Sequence, residues 1–444
     1  MLGFTRSREW VYPQAVDGYY QRIRRVTFVA LHLVMLLAPW ITFGGHPLLR
    51  VDLPTRRTYL LGQIFTASDT LILVMVALFA AFSLFFFTSL LGRLWCGYAC
   101  PQTVFLETWI RPIELWIEGD RSKRRWRDQK GLTVDLAWRK VVKWTLFAVV
   151  AVFLAMAMMS VFAGARELWT GQAGTVQYAL VAIISGLWFW DFTWFREQFC
   201  NYLCPYARFQ SALTDDETLQ IQYNVARGEP RGHGRDVAAA GRCIDCHKCV
   251  VTCPQGIDIR DGFQLECIGC ARCIDACASV MEQLGHATLV DYGSVAEAQG
   301  ETVRRLRPRT VVYGGMLAAL AIVFVFLVTS RVPFEASVNR APGTLFAIDN
   351  DGFVRNTYFL SITSNHPGDA TVLYTVSIEG LDGAEVLLSP LQLGPTESRT
   401  TPLIVRVPLS HGLARTIPMR VRVASPESER FVTTTFKTGA DVES

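Results

Sequence analysis

The stretch CIDCHKCVVTCP at residues 243–254 and the stretch CIGCARCIDACA at residues 267–278 share one spacing of four cysteines. The spacing is C-x2-C-x2-C-x3-C, which is typical of ferredoxins that bind two [4Fe–4S] clusters. In such proteins three closely spaced thiolates hold one cluster, and the fourth cysteine of each run reaches the other. The spacing therefore predicts one cluster on Cys243, Cys246, Cys249 and Cys277, and a second on Cys267, Cys270, Cys273 and Cys253.

Structural zinc is the other reading of these cysteines, because Cys-x-x-Cys pairs also bind Zn²⁺ tetrahedrally. Zinc ribbons do not need the duplicated three-plus-one pattern, so the pattern favours iron–sulfur ligation. One departure is that Ala278 follows Cys277, where the first run has a proline after its last cysteine. All eight predicted ligands are present.

The rest of the chain is apolar. Of its 444 residues 51% are hydrophobic and 18% are charged, a balance that predicts several membrane spans joined to soluble parts. The net charge of +4 gives no indication of nucleic-acid binding. Five stretches approach the roughly 20 apolar residues that a spanning helix needs. They are Val26–Phe43, Leu71–Leu91, Trp144–Phe162, Tyr178–Phe195 and Val311–Val328.

Lysine and arginine near the span ends predict the orientation, since they concentrate on the cytoplasmic side. The segment between the second and third spans is rich in them, at Arg121, Lys123, Arg124, Arg125 and Arg127. Five spans then place the N-terminus and the eight-cysteine segment in the cytoplasm, and the C-terminus in the periplasm. Clustered cysteines agree with this orientation, because a reducing compartment favours metal ligation over disulfides.

The pattern after Ser330 changes to the period of two that is typical of half-buried strands. Turn-forming residues at 365–369 and at 380–383 separate the runs. The sequence therefore predicts a small antiparallel β-sandwich. Its predicted inward-facing residues include Val354, Tyr358, Leu360, Ile362, Val372, Tyr374, Val376, Ile378, Met419, Val421 and Val423.

The predicted fold is that of a multidomain membrane protein with five transmembrane α-helices, a bacterial-type 2[4Fe–4S] ferredoxin-like domain and a C-terminal all-β immunoglobulin-like sandwich. The predicted boundaries are 1–25 for a cytoplasmic N-terminal segment, 26–210 for a four-helix membrane domain, 211–309 for the cytoplasmic ferredoxin domain, 310–330 for the fifth helix and 331–444 for the periplasmic β-domain.

A second cysteine motif occurs twice, once after the second span and once after the fourth. WCGYACP at 95–101 resembles FCNYLCP at 199–205. Because residues four apart share one face of a helix, each unit is expected to present two thiols, and both units together four. Such a set suits a soft ion such as Cu(I). A reversible dithiol and simple helix packing stay open as alternatives for Cys96, Cys100, Cys200 and Cys204.

Asp191 lies inside the fourth predicted span, where a carboxylate is costly and is a candidate functional residue. Neutralisation by Arg196 or Arg93 is an equally good interpretation. The chain contains no G-x-x-x-x-G-K-[ST] loop and no G-x-G-x-x-G fingerprint. These absences argue against ATP-driven copper pumping.

WCGYACPQ at 95–102, CNYLCPYARFQ at 200–210, the double ferredoxin run and the β-domain together resemble the FixG/CcoG family of cytochrome c oxidase accessory proteins. The resemblance covers essentially the whole chain. It implies a bacterial inner-membrane polyferredoxin that reduces Cu(II) to Cu(I) during maturation of cbb3-type cytochrome oxidase. It also implies copper ions, copper chaperones and oxidase assembly components as partners.

The resulting hypothesis is a cupric reductase. Electrons enter from an unidentified cytoplasmic or quinone donor, pass through two clusters and reach copper near Cys96, Cys100, Cys200 and Cys204. Two rivals are a quinol-linked relay to a periplasmic reductase and an oxidase assembly scaffold without catalysis. The first is suggested by similar motifs in electron-relay subunits, and the second by the frequent use of β-sandwiches for interaction.

Overall fold

The structure is a computed structural model, and it describes most of the chain in eleven segments. Two compact units contain these segments. The first unit comprises 1–43, 47–52 and 74–323, and the second comprises 44–46, 53–73 and 324–444. The predicted border at 210/211 lies inside the first unit. The described residues are 10–54, 57–65, 69–131, 133–232, 241–298, 301–304, 307–330, 332–364, 371–394, 397–408 and 414–439.

The α-helices are α1 (Tyr19–Leu37), α2 (Thr70–Leu91), α3 (Leu94–Tyr98), α4 (Pro101–Phe105), α5 (Arg111–Glu118), α6 (Arg121–Gln129), α7 (Val134–Ala163), α8 (Ala165–Trp169), α9 (Thr175–Trp190), α10 (Pro205–Leu213), α11 (Val225–Gly228), α12 (Lys248–Val251), α13 (Arg272–Met281), α14 (Val295–Ala298) and α15 (Pro308–Thr329). Short π-helical segments occupy Leu106–Ile110, Asp191–Phe195 and Phe199–Leu203.

The β-strands are β1 (Thr42–Phe43), β2 (His46–Pro47), β3 (Leu49–Asp52), β4 (Arg57–Leu60), β5 (Gln63–Phe65), β6 (Gln220–Tyr223), β7 (Val290–Gly293), β8 (Phe334–Arg340), β9 (Ala347–Ile348), β10 (Phe353–Ser364), β11 (Val372–Glu379), β12 (Glu385–Leu387), β13 (Leu391–Leu393), β14 (Ser398–Pro408), β15 (Thr416–Ala424) and β16 (Glu429–Lys437).

Four helices in the described part of the chain are long and apolar enough to cross a membrane. They are Thr70–Leu91, Val134–Ala163, Thr175–Phe195 and Pro308–Thr329, which contain four of the five predicted stretches.

The first predicted stretch has different bounds in the structure. Helix α1 begins at Tyr19, seven residues before Val26, and it ends at Leu37, so residues 38–43 lie beyond it. The helix therefore includes Arg22, Arg24 and Arg25, and it is not among the four apolar helices. A contact with the predicted ferredoxin domain at 211–309, called the ferredoxin region below, explains why α1 begins before Val26. The Asp275 carboxylate accepts hydrogen bonds from the amide groups of Tyr20 and Gln21, near the start of α1, at 3.2 and 2.8 Å.

The β-rich part of the second unit consists of two antiparallel sheets around one core, as predicted. One sheet has the order β12-β14-β10-β8, with β9 paired to β10, and the other has the order β13-β11-β15-β16. Alternate residues of β10 are buried, including Val354, Tyr358, Leu360 and Ile362. The predicted turn at 380–383 has glycines with positive φ at both ends. The predicted turn at 365–369 lies outside the described residues.

The ferredoxin region of the first unit is built around α13 and the antiparallel pair β6 and β7. Helix α13 is joined to the segment that follows the first C-x-x-x-C-P motif by a buried ion pair. Arg272 Nη1 lies 2.6 Å from Glu107 Oε2, and both side chains are 6% exposed. Arg111 also pairs with Glu107, at 3.0 Å. Charge therefore fixes the ferredoxin region to the segment 106–118 that follows the first C-x-x-x-C-P motif.

Arg272→Met is expected to destabilise the first unit by about 3 to 5 kcal/mol, because it leaves the Glu107 carboxylate buried with one cation fewer. Thermal unfolding in detergent measures this effect. The control is Arg25→Met, because Arg25 pairs with Asp17 at 3.0 Å where both side chains are more than half exposed. Loss of that pair should cost less than about 1 kcal/mol. Equal effects of the two substitutions would contradict the structural role of the buried pair.

Acid should weaken the same contact. Burial alone would raise the pKa of Glu107, but the charges of Arg272, Arg111 and Arg24 lower this pKa to about 2. A carboxylate whose pKa is depressed in the folded state stabilises it above the ordinary pKa, and this contribution disappears as the pH falls toward the folded-state pKa. The unfolding midpoint should therefore decrease between about pH 4.5 and pH 2. Glu107→Gln should make that decrease smaller, and an unchanged profile would refute the assignment.

Candidate functional site

The two ferredoxin runs share left-handed backbone conformations at two equivalent positions. In the first run Asp245 and His247 have φ of 53° and 55°, and in the second Gly269 and Ala271 have φ of 64° and 57°. These four residues occupy equivalent positions, two and four residues after the first cysteine. Left-handed conformations are costly for residues other than glycine and cluster at functional sites. They turn each run tightly enough for its three cysteines to line one cavity.

The first cavity is lined by Cys243, Cys246, Cys249 and Cys277. The first three come from one run, and Cys277 comes from α13 at the end of the other run. The remaining lining is largely apolar, with contributions from Tyr223, Val280, Met281, Leu289 and Val290. The four cysteines brought together here are those that the spacing assigns to one cluster. Ligation itself stays a prediction.

The second cavity is lined by Cys253, Cys267, Cys270 and Cys273. Cys249 borders this cavity as well as the first, so the two cavities are neighbours. Burial raises the pKa of the Cys267 thiol to about 12, and the adjacent thiols of Cys270 and Cys253 act in the same direction. Thiolates at these positions therefore need compensating positive charge, which bound iron supplies.

The donor sets fit [4Fe–4S] clusters better than single ions. Each cavity offers four cysteine side chains around an apolar space. The grouping of four thiols in each of two adjoining cavities, together with the duplicated three-plus-one spacing, matches two cubane clusters.

Arg260 lies beside the first cavity and stabilises its loop. Its side chain is almost completely buried, pairs with Asp245 and with Asp258, and lies 2.9 Å from His247 Nδ1. Asp245 and His247 are the two left-handed residues of the first run. The spacing pattern gives no indication of this role, because Arg260 lies outside both runs, seven residues from Cys253 and seven from Cys267. His247 lines the cavity although its side chain is 54% exposed.

The first C-x-x-x-C-P unit does not place both cysteines on one helix face, and this prediction was wrong. Cys96 lies within α3, but Cys100 has an extended conformation with ψ of 126° and precedes Pro101, the first residue of α4. Proline restricts the preceding residue to extended conformations and is favoured as the first residue of a helix. The cysteine before proline therefore lies at a helix break, as the N-cap residue.

The second unit has the same break. Cys200 lies in the π-helical segment Phe199–Leu203, and Cys204 is extended with ψ of 110° before α10 begins at Pro205. The internal repeat predicted from the sequence is thus also a repeat of backbone conformation at the proline. The two units differ before the proline, because Cys96 lies in an α-helix and Cys200 lies in a π-helical segment.

Hydrogen bonds of Arg93, Cys96 and Gln102 to Ala207, Gln210 and Arg196 place the two units side by side, and we call Cys96, Cys100, Cys200 and Cys204 the four-thiol site. Burial raises the pKa of Cys96 to about 12, and Cys100 and Cys204 add to the increase. Burial also raises the pKa of Cys200, on which Cys100, Cys96 and Cys204 act in turn. Partly buried thiols next to one another resist ionisation unless a cation binds.

The sequence analysis did not predict two glutamines that adjoin this site. The Cys96 thiol donates to Gln210 Oε1 at 3.5 Å, and Gln102 Nε2 donates to Asp191 Oδ2 at 2.7 Å. Gln102 directly follows the first motif, and Gln210 follows the second by five residues. Their closeness to the repeated motifs was the available signal.

Neither arginine proposed as a partner of Asp191 forms an ion pair with it, although the charge of Arg196 acts on the Asp191 carboxylate. Arg196 makes a bidentate contact with Glu114 at 2.7 and 3.0 Å, and Arg93 donates to the carbonyl oxygen of Ala207 at 2.8 Å. Asp191 is buried, and its Oδ1 atom has no hydrogen-bond partner. Its charge acts on the Cys200 thiol. Asp191 therefore belongs to the surroundings of the four-thiol site.

Comparison with protein families agrees with this arrangement. Residues 195–295 match a family described as "4Fe-4S dicluster domain", and residues 71–124 match one described as "4Fe-4S binding domain". Residues 324–438 match a family described as an "IG-like fold at C-terminal of FixG". The matches at 195–295 and 324–438 confirm the predicted 4Fe–4S binding and the predicted β-domain. The match at 71–124 covers the first C-x-x-x-C-P motif, where the sequence predicts copper or dithiol chemistry and no cluster.

Similarity to individual proteins extends over most of the chain. The nitrogen fixation protein FixG of Rhizobium meliloti is 33% identical over 91% of this chain and 87% of its own length. Protein RdxA of Cereibacter sphaeroides is 33% identical over 85% of this chain and 86% of its own. Protein RdxB of the same organism is 34% identical over 82% of this chain and 81% of its own.

The cavity assignments can be tested by pairs of substitutions. Cys243→Ala with Cys277→Ala should remove ligands of the first cavity only and leave roughly half of the bound iron, because each four-thiolate set holds its own cluster. Cys243→Ala with Cys253→Ala should disturb both cavities and remove nearly all of it. Iron analysis and the visible spectrum of the purified protein measure the difference. The reverse result would show that each run binds one cluster by itself.

Proposed function

The chain belongs to the FixG/RdxA family of iron–sulfur electron-transfer proteins, and from that premise we propose that it reduces Cu(II) to Cu(I) at the four-thiol site. The observation that carries the proposal is that the two C-x-x-x-C-P units lie side by side although their equivalent cysteines are 104 residues apart in the chain. Arg93 donates to the carbonyl oxygen of Ala207 at 2.8 Å, the Cys96 thiol donates to Gln210 at 3.5 Å and Gln102 donates to the carbonyl oxygen of Arg196 at 3.1 Å. Thiolate sulfur is a soft donor that prefers Cu(I), so such a set favours the reduced ion over the oxidised one.

The ferredoxin region is the source of the electron. Cys243, Cys246, Cys249 and Cys277 would hold one [4Fe–4S] cluster, and Cys253, Cys267, Cys270 and Cys273 the other. Bound clusters of this type store and release single electrons. Each Cu(II) ion takes up one electron to become Cu(I), so the reaction matches that capacity. In the cell a one-electron cytoplasmic donor or a quinol replaces the electron that is lost.

The protein environment of the four-thiol site suits cation binding. Buried thiols are protonated without a cation, and they release protons when a soft ion replaces them. Asp191 Oδ1 is buried and has no hydrogen-bond partner, which places an oxygen acceptor beside the leaving protons. Gln102 holds the other oxygen of this carboxylate and thereby orients it. Asp191 and Gln102 therefore add a negative charge and a proton acceptor that the four thiols alone would lack.

The proposed topology is that of a bacterial inner-membrane protein with five spans. Helix α1 supplies the first span, which is supported by the exposed apolar side chains of Val26, Val29 and Val34. The N-terminus and the ferredoxin domain are cytoplasmic, and the β-domain is periplasmic. Copper reduction would then serve maturation of a cbb3-type cytochrome c oxidase, with copper chaperones or assembly components of that oxidase as recipients.

Anaerobic mixing with Cu(II) tests the reaction. The purified protein is reduced with dithionite, freed of the excess, and mixed with Cu(II) while the cluster spectrum and Cu(I) formation are followed together. One Cu(I) should appear for each electron lost from the clusters. Replacing Cys96, Cys100, Cys200 and Cys204 together by serine should leave iron content unchanged and abolish tight Cu(I) binding. It should slow copper reduction at least about tenfold, because the acceptor ion is no longer positioned.

A Cys243→Ser, Cys267→Ser variant is the matched control, because it damages the ferredoxin sites and keeps the four thiols. Any Cu(I) that it forms measures oxidation of the thiols themselves. If the variant with four serines reduces Cu(II) as fast as the native protein, the four-thiol site is not where copper is reduced. Clusters that stay reduced while copper stays Cu(II) would favour the quinol-linked relay or the assembly scaffold instead.

A further inference from the structure

The two C-x-x-x-C-P units look equivalent in sequence, but they have different neighbours. Gly97 follows the first cysteine of one unit, and Asn201 follows the first cysteine of the other. Both units continue with a tyrosine, a small or apolar residue and the second cysteine. The glycine is thus a specific difference within a repeated motif.

Gly97 lies directly against the second ferredoxin run. A Cβ atom at this position would be 2.8 Å from the Cα atom of Cys270, 2.8 Å from the carbonyl oxygen of Ile268 and 3.0 Å from the amide nitrogen of Cys270. All three are backbone atoms, which cannot rotate away as a flexible side chain can. Only glycine allows this approach, since any other residue would force the two segments apart.

Further hydrogen bonds fix both sides of the contact. On one side, the fully buried Arg24 donates from Nε to the carbonyl oxygen of Gly97 at 3.0 Å. On the other side, the Tyr292 hydroxyl donates to the carbonyl oxygen of Gly269 at 2.7 Å and lies 3.3 Å from the Tyr98 hydroxyl. The backbone next to Cys96 and the backbone of Cys270 are therefore held together from several directions.

We propose that the first pair, Cys96 and Cys100, is the side of the four-thiol site that receives electrons, and that Gly97 is the positioning residue that sets its separation from Cys270. The inference rests on the proposed function and adds the direction of transfer within it. Cys270 lines the second cavity, so the electron leaves the ferredoxin region there. Each electron reduces one Cu(II) ion to Cu(I), and the ferredoxin region is oxidised by one electron.

The outer end of the route follows from exposure. Cys246 of the first cavity is exposed, whereas Cys270 and Cys273 of the second cavity are buried. An external one-electron donor therefore reaches the first cavity, and the second cavity faces the four-thiol site. The two pairs of the repeat then have different tasks, since only the first pair adjoins Cys270 through Gly97.

Gly97→Ala tests the proposal, with Asn201→Ala at the equivalent position as the control. In the glycine variant we expect unchanged iron content, unchanged Cu(I) affinity and an unchanged half-saturating Cu(II) concentration. The rate of electron transfer from the dithionite-reduced protein at saturating Cu(II) should fall several-fold, because the added Cβ atom increases the separation between the Cys96 segment and the Cys270 segment. The asparagine variant should behave like the native protein.

Hydrogen exchange gives a readout that does not depend on the reaction. Amides of residues 94–100 and 267–273 should exchange faster in Gly97→Ala and should not change in Asn201→Ala. Faster exchange together with a native transfer rate would overturn the role of Gly97 as the residue that sets the separation. The proposed function would survive that result, provided that the variant with four serines is inactive.

A milder substitution covers the case in which Gly97→Ala loses iron. Tyr292→Phe removes the hydroxyl group that bonds to Gly269 and adds no atom to the contact. It should slow transfer by a smaller factor than the glycine variant while iron content stays native. A native rate in Tyr292→Phe, with the same increase in hydrogen exchange, would contradict the proposal.

Discussion

The buried ion pair between Arg272 and Glu107 is the interaction on which the arrangement of the first unit depends. Arg272 is the first residue of α13, the helix that contains Cys273 and Cys277. Glu107 lies just after α4, the helix for which Cys100 is the N-cap residue. Two charges in an apolar setting stabilise a structure only when they meet with good geometry, and a displaced partner would be left uncompensated. The pair therefore selects one position of the ferredoxin helix relative to the membrane-proximal cysteines.

Local features of the sequence were sufficient for much of the fold. Alternation of apolar residues predicted the buried face of the strand that contains Tyr358, because side chains in a strand alternate with a period of two whatever the rest of the chain does. Long apolar runs predicted four of the helices for the same kind of reason. The spacing of the eight cysteines also predicted a grouping, and the two cavities contain the same groups.

Features that depend on distant residues could not be predicted. The early start of the first helix results from Asp275, which lies more than 250 residues away. The partner of Arg196 is Glu114, and nothing in the spacing of these residues indicates it. The geometry at Cys100 was mispredicted for a different reason, since the proline after it was available in the sequence and should have ended the helix.

The crossing of the two ferredoxin runs has a consequence for how the protein is made. The first cavity needs Cys277, and the second needs Cys253 together with the cysteines up to Cys273. During synthesis neither cavity is complete until the second run has left the ribosome, and both then become complete within four residues of each other. A nascent or truncated chain that ends between the runs offers iron no finished site. On the proposed ligation, cofactor insertion follows translation of the whole segment.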